Sequence, residues 1–155
     1  MYNIKQIGRC NMKKLLCVLL LIGLCLDTAS VASAAEWLKI GEITDGQTFS
    51  LDTQSFRKTS DTTYSFWTNV ELSEEEGKKL SKTLKLKVTV LHYFRKNEHN
   101  FHNATYRTIS TTYFGQKGVI LLNDSIASRW AGITPKSTGD NLFKAAYDYY
   151  KKNYK

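Results

Sequence analysis

Beyond residue 36, polar and apolar residues mostly alternate along the chain, which is the period of half-buried strands. Residues 36–43 alternate loosely, and Thr44-Asp45-Gly46-Gln47 has the composition of a turn. Residues 48–52 make a second strand with Phe49 and Leu51 on one face. Residues 53–58 fit either an extended continuation or one helical turn, and Ser60-Asp61 marks the next turn. Residues 63–72 form a strong strand, with Tyr64, Phe66, Thr68 and Val70 on one side and Trp67 on the other. The most regular alternation spans residues 86–95: Leu86, Val88, Val90, His92 and Phe94 share one face, and Lys85, Lys87, Thr89, Tyr93 and Arg95 the other. Residues 96–103 then read as a turn, residues 104–114 as a strand, and Gly115-Gln116-Lys117-Gly118 as a hairpin leading into a strand at 119–123.

Two stretches change to helical spacing. In residues 73–84, Ser73 and Glu76 form a capping box, and Glu74–Lys78 and Glu75–Lys79 pair four residues apart. Gly77 weakens this helix by about 1 kcal/mol, so it reads as a short, solvated connector. Residues 138–154 form the stronger helix. Ser137 or Thr138 caps it, Asp140 lies in its first turn, and Lys151 and Lys152 gather at its end. Leu142, Ala145, Ala146 and Tyr149 make one stripe and Phe143, Tyr147, Tyr150 and Tyr154 the next, a band that must pack on the sheet, with Tyr154 its most exposed member. The fold class that follows is α+β: a six-stranded antiparallel meander sheet with a C-terminal α-helix packed on one face.

The first 35 residues read differently. Lys5, Arg9, Lys13 and Lys14 precede an apolar run from Leu15 to Leu26, and Ala32-Ser33-Ala34-Ala35 closes the segment. These are the parts of a cleaved secretory signal, cut after Ala34 or Ala35, and the run is too short to span a bilayer. Residues 36–155 are then a single exported domain, in the periplasm, on the cell surface or secreted, without an integral membrane span. Cys10, Cys17 and Cys25 all fall in the signal, so the mature chain carries no thiol for a disulfide or metal site. Leu16 and Leu24 precede Cys17 and Cys25, outside the lipoprotein pattern. Removing Lys5, Arg9, Lys13, Lys14 and Asp27 takes the net charge from +8 to +5. No dense Lys/Arg block remains for nucleic acid, but the balance suits anionic glycans or acidic proteins.

Catalytic chemistry is not legible. No nucleophile elbow accompanies the Ser, His and Asp residues, and no cofactor or metal is expected. His99 and His102, with Glu98 and His92 nearby, have the spacing of a partial metal site but fit a solvent-facing polar turn. The strand pattern puts Lys85, Lys87, Tyr93 and Arg95 on the face opposite the helix, as a contact surface for ligand. Trp37, Trp67 and Trp130 are expected in packing, with Trp130, beside Arg129, a partly exposed contact residue.

The order of landmarks resembles the surface-adhesin protein E family of bacterial envelope proteins. It runs Trp37, Phe49-Ser50-Leu51-Asp52 with Ser55-Phe56, Trp67, Tyr106-Arg107, Tyr113, Gly118, and Ile133-Thr134-Pro135-Lys136-Ser137 before the last helix. The resemblance implies an antiparallel sheet with one helix packed on it. It also implies an exported, non-enzymatic binding domain, whose partner would be a host extracellular-matrix or plasma protein, or an anionic glycan. The alternative is a periplasmic structural or accessory protein without a host role. The family's cysteine pair between a late strand and the last helix has no counterpart around Asn103-Ala104 or Ala145 to Tyr149.

Overall fold

A computed structural model of the chain describes residues 35–42 and 46–154. The expected signal segment, residues 1–35, lies outside the described residues except for Ala35. The strands are β1 (Trp37–Glu42), β2 (Thr48–Asp52), β3 (Arg57–Lys58), β4 (Thr63–Glu71), β5 (His92–Asn100), β6 (Thr105–Phe114), β7 (Ile120–Asp124) and β8 (Ala131–Gly132). The helices are α1 (Glu74–Thr83) and α2 (Thr138–Tyr154), with single 3-10 turns at Thr53–Ser55 and Gln116–Gly118. Every pairing is antiparallel, in the order β1-β2-β4-β5-β6-β7, with β3 added to β4 and β8 to β6. The expected α+β meander is the observed fold.

One face of β4 organises the core. Tyr64, Phe66, Thr68 and Val70 alternate along it and are all buried. Tyr64 and Phe66 join Leu51, Phe56 and Ala146 of α2, with Leu142 and Tyr149 packed against them. Val70 joins Val90, Tyr93 and Tyr113, with Leu80, Leu84 and Leu86 packed alongside. Both helices therefore cover the same face, α2 over one half and α1 with the segment after it over the other. Burial on this face supplies most of what holds the sheet and helices together. Tyr154 is half exposed, as expected, and its ring still stacks on Phe56.

Residues 86–91 are not strand. β4 has already turned into α1, so the chain before His92 has no β4 residue left to pair with. It folds back onto α1 instead. The Leu86 amide donates to the Ser81 carbonyl at 2.8 Å and the Lys85 amide to Lys82 at 3.2 Å, a left-handed helix cap with Lys85 at φ 56°. The Ser81 hydroxyl then accepts from the Val90 amide at 2.8 Å in place of a ladder bond. Gly77 makes this approach possible, since a Cβ there would collide with the Val90 carbonyl oxygen. A residue that looked like a defect in a solvated connector is the close-packing point of the helix, on the one face that Gly77 and Ser81 bury.

The second departure is residues 96–103. β5 runs on to Asn100, and the turn is confined to residues 101–104. Its polar letters are strand residues because Asn97 and His99 face the core while Lys96 and Glu98 face out. Asn97 is kept satisfied by its Nδ2, which donates to the Thr68 hydroxyl at 3.0 Å.

Gly77→Ala should lower stability by about 1–3 kcal/mol despite alanine's better helix propensity, because the methyl must displace backbone. Lys85→Gly should raise it by up to about 1 kcal/mol by relieving the left-handed conformation. Urea unfolding of the two variants checks both signs; a stabilised Gly77→Ala protein would contradict this packing.

Candidate ligand-binding face

The face of the sheet away from both helices is built from the alternate residues of the same strands. β5 contributes His92, Phe94, Lys96 and Glu98, and the register sets them beside Glu71, Asn69, Trp67 and Ser65 of β4. On the other side they meet Phe114, Thr112, Ser110 and Arg107 of β6. Trp37 of β1 stacks on Phe94 with centroids 5.5 Å apart and planes 18° apart. Phe94 meets Phe114 edge-on at 5.1 Å, and Phe114 stacks on His92 at 4.8 Å.

A second aromatic centre lies further along β6. Arg107 Nη2 and Nε each lie 2.7 Å from Glu98 Oε2, and the guanidinium sits 4.9 Å from the ring centre of Trp130. The ion pair fixes the guanidinium plane, and the indole rests on it. Trp37 is 39 % exposed and Trp130 43 % exposed, while Trp67 is half-buried. All three tryptophans of the chain thus stand on the uncovered face or beside it; Trp130 is partly exposed as expected, whereas Trp37 and Trp67 are not in the core or helix–sheet packing expected of them. Rigid aromatic rings with a held arginine are the side chains that most often anchor protein interfaces.

The residues expected to share a contact surface are dispersed. Lys85 and Lys87 are exposed but lie in the segment packed on α1, on the helix side of the sheet. Tyr93 is 8 % exposed in the inner core, and burial pushes its hydroxyl up, with Arg95 opposing. Arg95 is half-buried on that inner face, its guanidinium 4.9 Å from the Tyr93 ring centre. The single-face premise fails because the alternation through residues 85–95 is not one strand. Trp130 alone stands on the outer side. Trp37, Phe94, His92, Phe114, Lys96 and Arg107 were missed; the one available signal was Trp67, already placed opposite the core side of β4.

The histidines do not converge either. His92 stacks in the outer aromatic row and His102 is exposed in the turn. His99 is 1 % exposed and boxed by Phe66, Tyr106 and Phe143, not in a solvent-facing turn. Burial holds its pKa down at about 3. Among the described residues no three His, Cys, Asp or Glu side chains could hold a metal ion together.

The family model described as surface-adhesin protein E matches residues 37–146. Among solved structures, Haemophilus influenzae protein E is similar with a TM-score of 0.50 at 13 % identity, covering 81 % of this chain and 96 % of that one. A second structure, protein E from non-typeable Haemophilus influenzae, gives 0.48 at 12 % identity, covering 81 % and 82 %. At 13 % identity the first likeness is one of fold. Comparison with curated protein sequences finds no match.

His99 makes stability pH-dependent in a calculable direction. Its folded pKa lies below the usual 6.5, so the unfolded chain binds the extra proton. The stabilisation is complete above pH 6.5 and lost as pH falls toward 3, by up to about 4–5 kcal/mol. Unfolding free energies measured across that window should flatten in His99→Phe relative to the unaltered protein. Parallel pH profiles would show that His99 does not carry the effect.

Proposed function

Because the chain belongs to the surface-adhesin protein E family, we propose that it is an exported, non-enzymatic binding domain that engages a host extracellular-matrix or plasma protein through the outer face of its sheet. The observation that carries this reading is the placement of Trp37 and Trp130, both more than a third exposed, on the face that neither helix covers. A domain of this size has little reason to leave such rings uncovered, since a contiguous exposed aromatic surface invites association.

The charge pattern of that face favours a protein over a polyanion. Lys96 and Arg107 alternate with Glu71 and Glu98, and Arg107 is already neutralised by Glu98. The lysines that would suit an anionic glycan lie elsewhere. Lys82 lies in the last turn of α1, where it complements the negative end of the helix dipole, and Lys85 and Lys87 follow just beyond it. Export rests on the expected signal in residues 1–35. No described helix is long and apolar enough to cross a membrane.

Immobilised matrix and plasma proteins should retain the purified protein, and Trp37→Ala and Trp130→Ala should each weaken binding at least tenfold, about 1.4 kcal/mol or more. Both variants should still unfold cooperatively. Lys85→Glu with Lys87→Glu should leave binding within about twofold, since rim and remote charges contribute little at physiological salt. Loss of binding in the lysine variant, with the tryptophan variants unaffected, would instead favour a glycan on the α1 side. Absence of any matrix or plasma ligand would bring the periplasmic accessory role forward.

A further inference from the structure

On the inner face, between the middle of β5 and the first turn of α2, a pocket of about 240 Å³ opens where the two halves of the core meet. Its polar walls are Gln47, whose Nε2 is turned to Glu76, with Arg95, Asn97, His99, Tyr106 and the Thr138-Gly139 turn; Phe49, Tyr93 and Leu142 make it apolar elsewhere. Neither ring nitrogen of His99 has a hydrogen-bond partner, although the residue is 1 % exposed. Arg95 Nε is likewise buried and unpartnered. Buried polar atoms left unpaired are costly, and two residues with such atoms lining one cavity point to a missing partner.

Arg95 Nε–H and the one N–H of the neutral His99 ring call for an acceptor, while the other ring nitrogen is itself an acceptor. No Asp or Glu lines the pocket, and Arg95 has no carboxylate partner among the described residues. The first two amides of α2 add to the donor set. Ser137 takes the Asp140 and Asn141 amides, which leaves those of Thr138 and Gly139 free at the positive end of a 17-residue helix. Asp140, the acid in that turn, is turned to the Lys136 amide and Lys144 Nζ, each at 2.8 Å.

We infer that this pocket is a binding site for a small organic carboxylate with an apolar body, held by Arg95, His99 and the N-terminal turn of α2. A planar carboxylate matches the arginine fork and accepts from a neutral imidazole N–H, while Phe49 and Leu142 take the apolar end. A free inorganic anion would satisfy the donors but leave the apolar half in contact with water. The site is separate from the outer face, so its ligand need not be the adhesin's partner.

Titration of the full protein with benzoate, benzamide and inorganic phosphate, followed by NMR of the three histidine side chains, tests this directly. Benzoate should bind saturably, with a dissociation constant on the order of 1 mM or lower, and should shift the His99 resonances well beyond those of His92 and His102. Benzamide, the neutral isostere, should bind at least tenfold more weakly. Arg95→Gln should weaken benzoate about tenfold or more. Tyr106→Phe, which removes only a hydroxyl at the wall, should weaken it roughly threefold and keeps the test open if Arg95→Gln fails to fold. The proposal is overturned if benzoate does not saturate, if benzamide binds equally, if phosphate alone binds, or if either variant, once shown to be folded, binds benzoate unchanged.

Discussion

Phe56 is the point through which the inner core is tied together. Its ring stacks on Phe66 at 5.2 Å and meets Tyr64 at 5.5 Å, Phe101 at 6.4 Å, Tyr149 at 5.2 Å and Tyr154 at 5.6 Å. One side chain thereby joins the β3 edge, the centre of β4, the β5–β6 turn and the last turns of α2. Nothing covalent shares this task, since every cysteine of the chain lies before residue 26. Where the resemblance implied a cysteine pair clamping the helix, aromatic packing holds it. Each such ring pair contributes about 0.5–1.5 kcal/mol beyond burial, so a cluster of them can carry a helix without a bridge.

Committing both helices to one face has a cost on the other. Among the described residues no further element covers Trp37, Phe94, Phe114 and Trp130, and these rings cover one another only in part. The Arg107–Glu98 pair keeps the second centre ordered without burying it. A rigid, half-desolvated surface of this kind loses little conformational entropy when a partner closes over it, which is what a binding face requires. The fold of an adhesin-family domain and the openness of this surface are thus two consequences of one packing decision.

The elements legible in the sequence were those whose pattern reports a single local environment. The buried alternation of β4, the Gly-rich hairpin and the apolar stripe of α2 all came through because burial there follows the element's own period. Residues 86–91 misled because Val90 is buried, and Leu86 partly buried, in a segment folded back on a helix rather than in a strand, and alternation cannot distinguish the two. Gly77 compounded the error: a glycine within a helix reads as weakness until the backbone it accommodates is known. Residues 96–100 were hidden for the opposite reason. An uncovered face permits Lys96 and Glu98, while Asn97 and His99 are polar letters on buried positions. The outer tryptophans could not be assigned because a large ring is equally at home in a core or an interface, and only the position of the helices decides. The pocket beneath α2 depends on residues from β5, β6 and α2 that meet only in three dimensions.

The central claim is that the helix-covered face builds the domain and the open face meets its ligand. Hydroxyl-radical footprinting of the protein, free and bound to an immobilised matrix or plasma protein, addresses both halves at once. Trp37 and Trp130 should be oxidised readily in the free protein and strongly protected in the complex, while Leu86, Val88 and Leu91 beside α1 keep their reactivity. Protection confined to the α1 side, with both tryptophans as reactive in the complex as in the free protein, would contradict the account.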